Sequence, residues 1–168
     1  IALKIDSEAV AKILAETGIG LVAIGDNGGA VKNGHIVDLE TEVAVDNADI
    51  GRLAYLINAR TRGYLKKTEV SANTGKMILT GNDLNGYGFQ TSNQIPSNLT
   101  KGTGTDLSSL IFGNFADLLV GFWGGIDLTV DPYTLAKQGK IAITADQFAD
   151  VGVRRAESFA VIKDGIVV

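Results

Sequence analysis

The chain has no cysteine, and its 168 residues include only two prolines (Pro96 and Pro132), one histidine, one methionine and one tryptophan. The absence of thiols excludes a disulfide framework and any thiolate metal site. No apolar run approaches the roughly 20 residues of a membrane-spanning helix, and Ile1-Ala2-Leu3-Lys4 leads into charged residues instead of the apolar core of a signal peptide. Positive charge is also sparse. Fifteen Lys and Arg against 19 Asp and Glu give a net charge of -4, and the densest basic groups are the pairs Lys66-Lys67 and Arg154-Arg155. Gripping nucleic-acid phosphates takes a concentrated positive field, so the composition argues against a DNA-binding protein.

What is present describes a folded domain. Glycine is plentiful, at 21 residues, and with so little proline this indicates many turns in an ordered chain. The length supports one domain, or two small ones intimately joined, with a normal core.

Asp6 or Ser7 is placed to cap a helix running through Glu16, with Ala9, Ile13 and Leu14 on one face and Gly18 as its stop. A second helix is predicted over 35–46, where Ile36, Leu39 and Val43 recur at helical spacing and Asp38, Glu40 and Glu42 take the wet side. The run from Leu53 to Ile57 reads as a strand, and Asn58 as the cap of a short helix reaching Lys67. Lys76 to Thr80 is another short run, and Tyr87, Phe89 and Thr91 alternate with Gly88, Gln90 and Ser92 at strand period. Lys101-Gly102-Thr103-Gly104-Thr105 reads as a hairpin or loop inside one cooperative unit. From Leu110 the pattern is almost all strand, through 118–122, 126–130, 141–145 and 159–162. Helices first and strands later favour an α+β fold over a doubly wound sheet. The two inner helices are expected on a sheet that contains 53–57 and 110–122.

Few constellations invite chemistry. The Gly-rich segment 25–34 lacks the Lys-Ser/Thr pair and strand-to-helix context of a phosphate loop, and is read as a turn. Gly102-Thr103-Gly104 lacks the third glycine of a dinucleotide site. His35, next to Gly34, is read as a helix-start histidine, since a general base needs a nucleophile and an orienting carboxylate. Asp146, Asp150 and Glu157 are the acids nearest to a hard-cation set, but their spacing matches no calcium loop, and solvated charges explain them better. No catalytic, cofactor or metal residue is therefore assigned. Phe115, Phe122, Trp123 and Phe159 are read first as core, with Trp123 the readiest to lie at an interface. Arg154-Arg155 offers bidentate contacts to a neighbour's carboxylates, against the alternative of a local surface pair with Glu157.

Four segments in order carry a resemblance: LAYLINARTRGYLKK (53–67), GYGFQTSNQIPSNLT (86–100), IFGNFADLLVGFWGGIDLTVDPYT (111–134) and IAITADQFADVGVRRAESFAVI (141–162). Together they resemble the C-terminal part of tailed-phage major capsid proteins of the HK97 type. The resemblance implies a structural subunit, not an enzyme, that assembles with copies of itself into hexamers and pentamers of an icosahedral phage or prophage head enclosing the DNA. It implies an axial domain from 25–122 with 155–168, near the capsomer centre, and a partial peripheral domain from 1–24 with 123–154. The arm, the extended loop and most of the spine helix of such subunits are expected to precede Ile1, and no Asn near Ile141 is available for the crosslink some members make. The implied partners are a portal and a scaffold or maturation protease, with packaged DNA touched only non-specifically and no membrane; the implied location is the virion, with assembly in the host bacterial cytoplasm. Ser71 to Asp83 is expected at the axial tip, which makes Thr74, Gly75, Lys76, Asn82 and Asp83, with Trp123, Arg154 and Arg155, the interface candidates. An encapsulin-like nanocompartment shell is the alternative within the same fold, and a small binding module the alternative outside it.

Overall fold

The computed structural model describes residues 7–167. In chain order the elements are α1 (Ser7–Ala15), β1 (Gly20–Leu21), β2 (Gly29–Ala30), α2 (Asn33–Val45), β3 (Leu53–Ile57), α3 (Ala59–Lys67), β4 (Leu79–Thr80), β5 (Asp83–Leu84), β6 (Tyr87–Thr91), β7 (Leu99–Lys101), β8 (Gly104–Asn114), β9 (Leu118–Asp131), β10 (Ala142–Val153) and β11 (Phe159–Ile166). Asp6, one of the two expected caps of α1, lies outside the described residues. The helix ends near its expected stop, with Gly18 at φ +88°.

One mixed sheet runs in the order β1-β11-β8-β3-β6-β5-β4, with β2 also on β11 and β7 also on β8. Strand alternation divides its core in two. On one side Tyr55, Ile57, Leu110, Phe112, Ala160 and Ile162 pack against Ile36, Leu39 and Val43 of α2 and Leu65 of α3. On the other side Leu56, Ile111, Phe159 and Val161 meet Val10 and Ile13 of α1. The apolar period of α2 therefore does what its spacing predicts. Asn58 caps α3 as expected, its Oδ1 accepting from the Thr61 N–H at 2.7 Å.

The hairpin expected near Gly102 joins β7 to β8. Its glycines are needed because the segment 25–28 lies against it: the Thr103 N–H donates to Asn27 Oδ1 at 3.0 Å, and a Cβ on Gly104 would run into the Asn27 carbonyl. Only residues 25–28 form the expected turn, with a bridge between Asp26 and Gly28; the rest of the Gly-rich segment is β2 and the start of α2, so a strand-to-helix passage is present there after all, without the Lys-Ser/Thr pair of a phosphate loop. His35 stands in the first turn of α2, its Nδ1 accepting from the Lys32 N–H at 3.2 Å.

The sheet differs from expectation in one respect: it ends at Asn114. Residues 118–122 belong instead to β9, which pairs only with β10 in a separate antiparallel ribbon, while β1 at residues 20–21 lies in the main sheet. The single turn at Phe115–Asp117, held by Asn114 Oδ1 on the Ala116 N–H at 3.2 Å, separates β8 of the main sheet from β9 of the ribbon.

Candidate assembly surfaces

Strands of a ribbon that no layer covers bury neither face, and β9–β10 is such an element over most of its length; among the described residues only its base, at Leu118 and 151–153, packs against the α1 side of the core. Of the fifteen exposed large apolar side chains among the described residues, eleven lie between Leu119 and Phe148. Large apolar side chains exposed at this density mark a surface that a partner covers. In its outer half Val130 faces Ile143 and Leu128 faces Ala145, whereas Thr129 opposite Thr144 and Asp127 opposite Asp146 make the reverse side polar. Like charges directly across a strand pair repel. In the inner half Trp123 faces Phe148, with Phe122 opposite Ala149 on the other side. A register shift between Asp146 and Phe148, with Gly124 at φ +70°, separates the halves.

At its base the ribbon joins the sheet through a polar cluster. Asp117, 4% exposed, accepts from Ser158 Oγ at 2.7 Å, from Asn114 Nδ2 at 3.4 Å and from Arg154 Nε at 2.9 Å, and Arg154 Nη2 also bonds its Oδ1. The Ser158 hydroxyl, helped by the Arg154 guanidinium and the nearby charge of Arg155, holds the Asp117 carboxyl below the ordinary carboxylate range despite its burial. Arg155 turns away, with Nη2 on the Asp46 carbonyl at 3.1 Å and Nε 3.8 Å from Glu157.

The segment 71–83 follows α3 and takes in β4. Its tip, Ser71 to Lys76, is exposed, and Asn73 and Gly75 adopt φ of +63° and +66°. The Thr74 hydroxyl closes the turn on the Ser71 carbonyl at 2.6 Å, and the Val70 N–H bonds the Lys76 carbonyl at 2.8 Å. The expectation of a wholly protruding loop needs amendment, because Ile78 and Leu79 are buried in the α2/α3 core. Asn82 and Asp83 are exposed on the return, and Lys76 and Asp83 line one cavity of about 270 Å³ with Asn33 and Asn85.

The candidates thus fall in three places. Thr74, Gly75, Lys76, Asn82 and Asp83 are exposed on the segment 71–83, Trp123 lies on the ribbon at 57% exposure, and Arg154 and Arg155 are committed to partners of their own chain at the junction. Of the four aromatics read first as core, Phe159 is buried and Phe115 half-buried against it, ring centroids 5.6 Å apart. Phe122 and Trp123 are exposed, since no described residue packs over that part of the ribbon. The acids 146, 150 and 157 do not gather: Asp146 faces Asp127, Asp150 pairs with Lys12 at 3.4 Å and Glu157 with Arg155. Asp117 went unmarked in the sequence because its partners stand as far as 41 residues away.

Comparison with known proteins agrees with this architecture. The model of the phage capsid family matches residues 10–164. A major capsid protein of Halomonas phage phiHAP-1 is 33% identical over 130 residues, which cover 77% of this chain and 20% of that protein. Among solved structures, the capsid of the native GTA particle superposes with a TM-score of 0.66 at 16% identity, covering 92% of this chain and 60% of the other. The holo-SrpI encapsulin complex from Synechococcus elongatus PCC 7942 does so with a TM-score of 0.52 at 15% identity, covering 90% and 56%. The chain therefore spans a fifth of its phage relative and about three fifths of the solved capsid chain. At such identities the structures speak for the fold, which is the expected α+β fold of HK97-type capsids. On the family match and the phage relative together, this chain belongs to the phage capsid family.

Proposed function

We propose that the chain is shell-forming material of a phage or prophage head subunit, structural rather than enzymatic, whose principal partner is another copy of itself in hexamers and pentamers. The observation that carries this reading is the exposed apolar ribbon of β9–β10 in a member of the phage capsid family. Apolar area of this kind is stable in water when a neighbour covers it. The sheet body, β1 and 25–117 with 155–167, is assigned to the axial role, and the ribbon from Leu118 with α1 to the peripheral one, which moves the boundary inward from residue 123. Exposure of Thr74 to Lys76 supports an axial contact there. A portal, a scaffold or maturation protease, and packaged DNA held without sequence preference complete the proposed partners, with assembly in the host bacterial cytoplasm before the virion is made. Expressing the complete reading frame and imaging the product by electron microscopy tests the reading. Closed shells holding DNA in infected or induced cells support it; shells filled with a cargo enzyme favour the encapsulin alternative, and a monodisperse monomer at high concentration overturns both.

A further inference from the structure

We propose that Asp117 is a positioning residue, the latch that fixes the angle at which the ribbon leaves the sheet and so where its apolar faces meet a neighbouring copy. The inference rests on the reading of the ribbon as an assembly surface and adds what aims it. The chain crosses between sheet and ribbon twice, at 115–117 and at 154–158, each time through one short helical turn. Asp117 ties the two crossings together: Ser158 and Arg154 of the second crossing donate to its carboxylate, and the Arg154 N–H donates to its carbonyl at 2.8 Å.

The remaining attachments are of another kind. Leu118 and Val153 pack against the α1 side of the core, Val151 is buried, and Lys12 makes an exposed pair with Asp150. Apolar contact is non-directional and tolerates rocking, and exposed pairs contribute little. Hydrogen bonds to a charged, buried acceptor are directional and roughly twice as strong as neutral ones. Small angles matter because the ribbon is long. At about 3.3 Å per residue the 14 residues of β9 span about 45 Å, so a tilt of about 5° at the base moves the tip by about 4 Å. That displacement is as large as the separation of apolar atoms in contact.

The absence of cysteine makes the angle measurable. Spin labels at Tyr133→Cys, on the ribbon tip, and Lys66→Cys, on the exposed face of α3, report the distance distribution between ribbon and body in the dilute, unassembled chain. In Asp117→Asn the distribution should at least double in width, in Arg154→Gln it should widen less, and in Lys12→Gln it should stay as in the parent. An unchanged width in Asp117→Asn, or equal widening in Lys12→Gln, overturns the latch. Should Asp117→Asn fail to fold, Arg154→Gln decides by the same criterion, since that side chain is 64% exposed and leaves the core intact. A parent chain that never self-associates would sink the assembly reading without touching this measurement. A loosened Asp117→Asn that still forms normal shells would sink the positioning role alone.

Discussion

A carboxylate persists at the buried position 117 because hydroxyl, amide and guanidinium donors surround it, and removing any of them leaves charge or dipole uncompensated. Its folded pKa lies below the ordinary value of 3.8, so its contribution is complete above that value and is lost as pH falls through the lowered one. Denaturant titration at neutral pH should show Asp117→Asn less stable by about 1–3 kcal/mol, and the gap should close as the buffer is taken below the folded pKa. Tyr55 titrates in the opposite sense. Its single hydroxyl proton is shared between the Ile36 carbonyl at 3.1 Å and the Glu40 carboxylate, which also accepts from Asn85 Nδ2 at 2.7 Å, and burial with Glu40 beside it pushes the phenol far above its usual range. Among the four tyrosines, Tyr55 should therefore stay protonated until the protein unfolds in alkali. Tyr55→Phe should leave the ultraviolet titration amplitude of the folded protein unchanged while costing about 1 kcal/mol.

At the level of elements, Asn58→Ala should destabilise by about 1 kcal/mol through loss of the α3 cap, read as a lower denaturant midpoint at unchanged slope. Trp123→Ser and Phe148→Ser should leave stability within about 0.5 kcal/mol, since both rings are exposed, yet weaken self-association seen by sedimentation. The same contrast explains what the sequence made legible. Helix α2 was readable within two residues from Ile36, Leu39 and Val43, and α3 from Asn58, because a face that packs on its own chain imposes a local period. The run 118–122 misled, because apolar alternation says that a surface is to be covered and not by which chain. The assignment of Phe122 and Trp123 to the core failed for that reason. Asp117 was illegible for another: its meaning lies in Arg154 and Ser158, which are 37 and 41 residues away.

At the scale of the whole molecule, the segment 71–83 and the body answer separately to change. An Asp-Asp insertion beside Thr74 falls in an exposed turn clear of Ile78 and Leu79, so the melting temperature should hardly move. On the proposed axial contact at this segment, capsomer formation by the full-length subunit should be impaired, because like charges would converge around the axis. Normal assembly of the insertion variant would place this segment away from the axis. The sheet itself carries a consequence in time. Strand β11 is paired with β8 on one side and with β1 and β2 on the other, so residues 159–166 fill a slot in the middle of the layer and not at its rim. During synthesis, which proceeds from the N-terminus, α1, β1 and β2 wait without their partner until those residues emerge from the ribosome. Until then Ile13, Ile111 and Leu110 have no Phe159, Val161 or Ile162 to pack on, and a ribosome stalled before Phe159 should hold a chain that is protease-sensitive along its entire length.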